Sequence, residues 1–190
     1  MWWRELPRWR RLARLAVMLA AAGLTAGCWE PLYGTRPGVN AESVQDKFAA
    51  IDIPPLDIPS LKRGTPDERI AVAIRNALQF DLHNGANAFA PTYMLKVIVT
   101  TIQFTAEIDP TTGRANSQVE SVTARYSLVE LATGKSVVTD NCFAQVDYDI
   151  PGSQQRFAGQ RGRRDAEDRA VQVVAQTIRN RLASYFIAGT

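Results

Sequence analysis

Hydrophobic positions recur along this 190-residue chain with three spacings, and each spacing predicts an element. The segment GTPDERIAVAIRNALQFDLHNG sets Ile70, Ile74, Leu78 and Leu82 four residues apart, with Ala71 and Ala77 alongside. One apolar stripe at that spacing predicts an amphipathic helix. Thr65 stands where an N-cap belongs, Pro66 suits the first helical position and Glu68 completes a capping-box spacing. The helix is expected over 66–83, with Gly85 able to end it in a left-handed turn. A second stripe runs through Val171, Val174, Ala175, Ile178, Leu182, Tyr185 and Phe186. It predicts a final helix beginning near Asp165, a candidate N-cap with Asp168 three residues on.

The second spacing is alternation. PTYMLKVIVTTIQFTAEI is rich in β-branched and aromatic residues and has no helical period, so it predicts a long strand. Its inward phase changes near Thr100, from Leu95, Val97 and Val99 to Ile102, Phe104 and Ile108. That change predicts either a bulge at Thr100 or partial cover on both faces. After the turn-rich DPTTGRANS, which contains Gly113, the residues Val122, Ala124, Tyr126 and Leu128 alternate with polar ones as in a half-buried strand. ATGK makes a tight turn, and Val138, Cys142, Ala144, Val146 and Tyr148 share one phase of the next strand. Upstream, Ala49–Ile53 suits a short strand that Pro54, Pro55 and Pro59 stop. The order β-α-β-β-β-α and the short turns predict an α+β fold. Two helices pack on one face of a small mixed, mainly antiparallel four-stranded sheet.

The third pattern is an unbroken apolar run, Leu15–Leu24, behind Arg4, Arg8, Arg10, Arg11 and Arg14. A bilayer-spanning helix needs roughly 20 apolar residues, so the run is too short to span. A basic head, a short apolar middle and a small-residue exit predict a secretory signal that is removed. Ala26 and Gly27 are followed directly by Cys28, which resembles the lipobox of bacterial lipoproteins. That resemblance implies cleavage between Gly27 and Cys28 and covalent diacylglycerol and acyl chains on the Cys28 sulfur. Buried methylenes contribute about 0.8 kcal/mol each, and two or three chains hold where one does not. Trp29 rather than Asp follows the cysteine, which, by the same resemblance, favours the outer membrane. The chain then divides into a signal over 1–27, a lipidated extended lead over 28–48, one domain over 49–187 and a tail over 188–190.

Charge changes meaning once the leader is set aside. The formal charge of +3 includes five basic residues and one acidic residue from the first 27. The remainder carries 17 basic against 18 acidic side chains, a formal charge of −1. That balance excludes a nucleic-acid partner. If Cys28 carries lipid, Cys142 has no thiol to pair with, and its strand phase places it on a buried face. His83, the single histidine, ends a helix and reads as a dipole-favoured or solvated side chain. No His, Cys and carboxylate set has metal-ligand spacing, and no G-x-S-x-G, CxxC or phosphate loop occurs. An enzyme is not expected, nor a metal or a cofactor beyond the acyl chains. Two basic features remain: Arg114 in the loop after the first long strand, and Arg156, Arg161, Arg163 and Arg164 in GSQQRFAGQRGRRD. Guanidinium forks suit phosphate or carboxylate; the same run also suits a solvated loop.

Cys28, PLYG at Pro31–Gly34 and the helices DERIAVAIRNAL and AVQVVAQTIRNRLASY around three strands resemble the lipopolysaccharide-assembly lipoprotein family LptE. Members often carry Gly-Phe and one more residue between the cysteine and Pro-Leu-Tyr, where this chain has Trp29 and Glu30. The resemblance implies a lipid-anchored protein on the periplasmic side of the outer membrane. Its domain would sit inside the lumen of the β-barrel LptD, plug it, help assemble it and assist delivery of lipopolysaccharide to the cell surface. Arg114, Arg161, Arg163 and Arg164 would contact lipopolysaccharide phosphates or acidic positions on the barrel wall. The alternative is an auxiliary binding lipoprotein of an ABC-type lipid-trafficking system.

Overall fold

A computed structural model of the chain describes residues 43–58, 65–83, 90–150 and 156–188. The signal segment, Cys28, PLYG, Pro59 and Gly85 lie outside the described residues. The elements are α1 (Val44–Ala49), β1 (Ile51–Asp52), α2 (Pro66–His83), β2 (Tyr93–Ile108), β3 (Ala115–Glu130), β4 (Ser136–Asp149) and α3 (Arg156–Ala188).

The four strands form one sheet in the order β1-β2-β3-β4, with β1 parallel to β2 and the other pairs antiparallel. Leu95, Val97 and Val99 of β2, Val122, Ala124, Tyr126 and Leu128 of β3, and Cys142, Ala144, Val146 and Tyr148 of β4 are buried on one face. Period-2 patterning places each set on that single side. The helices cover it: Ile70, Ile74, Leu78 and Leu82 of α2 and Val174, Ile178 and Leu182 of α3 are buried in the same core. The expected α+β arrangement is the one observed, and α2 spans the expected 66–83.

Four local details differ from the expectations. The lead expected to stay extended to residue 48 becomes helical over Val44–Ala49, so Ala49 belongs to α1 and the strand shrinks to Ile51–Asp52. The cause is a capping box: Asp46 N–H donates to Ser43 Oγ at 3.1 Å, and Ser43 N–H donates back to Asp46 Oδ2 at 3.0 Å. Phe48, wholly buried, pins that turn. At the head of α2, Thr65 accepts from Arg69 N–H through its carbonyl at 3.4 Å, while its buried hydroxyl makes no hydrogen bond. His83 is not a free helix end; its Nε2 lies 2.9 Å from the Ile51 carbonyl oxygen and ties α2 to β1.

The fourth difference concerns β2. The ladder runs unbroken through Thr100↔Thr123, so no bulge lies there; register shifts come later, between Thr105 and Ile108. Thr101 and Gln103 continue the inward phase, and Ile102 and Phe104 project from the uncovered face, where they are exposed. The phase change thus marks apolar residues on the open side of the sheet.

The two ends of the sheet are distinct. At one, α1, the start of β2 and the end of α3 meet, with Phe186 edge-on to Phe48 and Tyr93 at centroid separations of 6.0 and 5.4 Å. At the other, β2 turns into β3 through Asp109–Arg114, where Gly113 takes φ 66. Asp109 accepts from Thr111 N–H at 2.7 Å and from both threonine hydroxyls, which holds its carboxyl down at about 2.

Candidate functional site at the arginine-bearing end

The last helix begins at Arg156, not near Asp165, so the basic run expected in a loop is three turns of α3. Asp165 is no N-cap; its carboxylate accepts from Arg169 Nε at 2.8 Å, one turn along. This extension lies on the sheet at Gly162, where an added Cβ would make ordinary contacts 3.6 Å from the Asp149 carbonyl oxygen and 3.8 Å from Tyr148. Since Asp149 pairs with Ser117 of β3, the start of α3 and the β2–β3 turn share the end remote from α1.

Structure divides the four candidate arginines. Arg114, in the turn, and Arg161 and Arg164, on the outer side of α3, are exposed. Arg163 turns inward. Its Nε lies 3.1 Å from Glu167 Oε1 and 3.6 Å from Glu120 Oε2, both on buried carboxylates. Glu167 is also paired with Arg69 of α2. Arg163 is therefore spent on an internal cluster joining α2, α3 and β3, and does not belong with the free arginines.

That cluster perturbs its own titratable groups. Burial pushes the Glu120 carboxyl up; Arg163 pulls it down, and Glu167 adds like-charge repulsion. Beside it, Tyr148 donates its hydroxyl to Gln118 Oε1 and accepts from Gln103 Nε2, each at 2.7 Å. Burial also raises the Tyr148 hydroxyl, again countered by Arg163. Thr101 donates to Asp67 at the head of α2. Sequence reasoning missed Glu120 and Glu167, although both carried a signal. Glu120 stands in the inward phase of β3, two residues before Val122, and Glu167 stands one helical turn before Val171.

Cys142 is buried, as its strand phase predicts, and burial raises its thiol to about 11. Such a thiol is a poor nucleophile at neutral pH. Among the described residues no three His, Cys, Asp or Glu side chains gather to hold a metal, and no helix is long and apolar enough to cross a membrane. The chemistry this end offers is anion recognition by three exposed guanidinium groups on a rigid support.

Comparison with known proteins bears on the whole domain. A lipoprotein from Caulobacter crescentus CB15 superposes with a TM-score of 0.57 at 18% identity, over 77% of this chain and 97% of that one. Lipoprotein B from Nitrosomonas europaea gives 0.52 at 10% identity, over 73% and 84%. A minor lipoprotein from Acinetobacter baumannii gives 0.50 at 14%, over 72% and 92%. These likenesses establish the fold. A comparison with curated proteins gives no match. A family model described as LptE, lipopolysaccharide-assembly, matches residues 48–182, which takes in α2, the three long strands and most of α3. The chain belongs to the lipopolysaccharide-assembly family LptE.

Proposed function

We propose that this chain is an outer-membrane lipoprotein, held by acyl chains on Cys28 after cleavage behind Gly27. Its domain plugs and helps assemble the β-barrel LptD and so assists lipopolysaccharide delivery to the cell surface. The observation that carries this reading is the family match over residues 48–182. Barrel lumens are polar, and a domain whose formal charge after the leader is −1, with both signs mixed, suits one. The subunit contributes binding and shape, with no catalytic step of its own.

Within that role, Arg114, Arg161 and Arg164 are the residues assigned to lipopolysaccharide phosphates. They stand at the end of the domain remote from α1, where the described chain begins. A guanidinium fork offers a phosphate two parallel donors, which a lysine does not. Arg163 supports them by fixing the first turns of α3 to the sheet.

The anchor is tested by mass spectrometry of the native protein. The expected N-terminal peptide begins at Cys28 and carries a diacylglycerol and an acyl chain. An unmodified thiol, or a terminus at another residue, contradicts it.

A further inference from the structure

The uncovered face of the sheet is apolar at its centre. Phe143 is 67% exposed, Ile102 61%, Phe104 44% and Ile98 41%, all on the side opposite the two long helices. Four large apolar side chains on one sheet face form a patch that calls for a partner.

Charges on this face are arranged in register. Arg125 is level with Ile98, Phe143 with Thr100, and Asp147 with Phe104 through Val119. The midpoint between Arg125 and Asp147 thus falls at the level of Thr101, beside Ile102 and Phe143. The guanidinium and the carboxylate stand on either side, each three residues or ~10 Å away. Further out the pattern repeats. Lys96 lies beyond Arg125, and Glu107 and Asp149, both paired with Ser117, lie beyond Asp147. Over β2, β3 and β4 the face therefore runs basic, apolar, acidic along the strands.

We infer that this face pairs with the same face of a second copy of the chain. A two-fold axis across the strands at the level of Thr101 exchanges the ends. It stacks the apolar centres and brings Arg125 of each copy to Asp147 of the other, and Lys96 to the Glu107 and Asp149 end. Such an isologous contact requires a self-complementary surface, and a face with opposite charges equidistant from an apolar centre is one. The axis preserves the lateral order of strands. Asp52 and Asp57, at the β1 margin, then fall beyond the partner's β2, where no strand faces them. Three strands at ~4.8 Å spacing and about 14 residues at ~3.3 Å give a footprint of roughly 650 Å², near the ~800 Å² per partner of a stable interface. The two sheets stack aligned, ~10 Å apart. This pairing belongs to the free chain and does not rest on the barrel reading.

The test is sedimentation equilibrium of the chain carrying Cys28→Ser, so that no acyl chain drives association. The expected result is a monomer–dimer equilibrium that Phe143→Glu weakens by at least ~tenfold. Arg125→Asp weakens it, and the double variant Arg125→Asp with Asp147→Arg restores it. All three positions are exposed strand residues, and circular dichroism confirms that each variant is folded. A single-chain mass at every concentration, a dimer indifferent to Phe143→Glu, or a double variant no better than Arg125→Asp overturns the inference. So does a chain that stays monomeric yet binds anionic phospholipid vesicles through Phe143, which would give the face to lipid.

Discussion

Arg163 of α3 reaches Glu120 of β3 across 3.6 Å, and with Glu167 at 3.1 Å it forms a charge cluster beneath the first turns of the last helix. One guanidinium serves two buried carboxylates; its removal takes the cation from Glu120, while Glu167 keeps Arg69 of α2. Arg163→Ser is expected to cost about 1–3 kcal/mol of unfolding free energy, as for a buried polar group that loses its partner. Arg161→Ser and Arg164→Ser, on exposed positions, should stay within ~0.5 kcal/mol. Urea unfolding of the three variants decides; equal effects would show that the cluster is not what holds the helix.

Glu120 gives the cluster a pH signature. Its carboxyl is raised above the ordinary value of 4.5 by burial, so the folded chain binds that proton more tightly than the unfolded chain. By linkage, the group's favourable contribution is fully present below 4.5 and is lost as pH rises through the folded value. Glu120→Gln keeps the neutral form at every pH. It should raise the unfolding midpoint at pH 7 and remove this loss from the stability profile. Asp109 runs the other way: its carboxyl falls from 3.8 to about 2, so its contribution is present above 3.8 and disappears as pH drops toward 2. Thermal unfolding across pH 2–8, with Glu120→Gln and Asp109→Asn beside the parent, separates the two limbs. A Glu120→Gln chain less stable than the parent at pH 7 contradicts the first.

Gly162 lies inside a helix yet faces an ordinary gap, with the nearest atom 3.6 Å from an added Cβ. Gly162→Ala therefore removes backbone entropy from the unfolded chain without a clash. It is expected to stabilise by about 0.5–1 kcal/mol. A loss of stability would show the helix closer to β4 than described.

Cys142 sits in the core with its thiol raised to about 11. In a Cys28→Ser background at pH 8, alkylation should run at least ~100-fold slower than in denaturant, because the folded thiol must wait for opening. Rapid labelling of the native chain contradicts the burial.

The phosphate assignment is tested by Arg114→Ser, Arg161→Ser and Arg164→Ser combined, with Arg163 left in place. Hydrogen bonds to charged groups contribute about 1.5–3 kcal/mol each, so affinity for lipopolysaccharide should fall at least ~tenfold at moderate salt. Unchanged binding removes these arginines from the role.

Much of the fold was legible because burial imposes a period. Ile70 to Leu82 repeat every fourth residue and Val122 to Leu128 every second, and both patterns map onto a single core. Elements held by something other than periodicity were not. α1 rests on the reciprocal Ser43–Asp46 bonds and on one buried ring, Phe48, too short a run to show a stripe. The first turns of α3 contain Gly159 and Gly162, weak helix formers, and are held by Arg163 in a contact with a carboxylate 43 residues away in sequence. No local signal encodes that pairing. The same contact sets Arg163 apart from the exposed Arg161 and Arg164 in a basic run that looked uniform.

The central claim is that this domain works inside a barrel. It is tested most directly by capturing the lipidated chain from outer membranes and measuring the mass and identity of what comes with it. The account predicts a large β-barrel protein in equal proportion that resists dissociation. Recovery with an inner-membrane ATPase complex instead, or with no barrel at all, contradicts it.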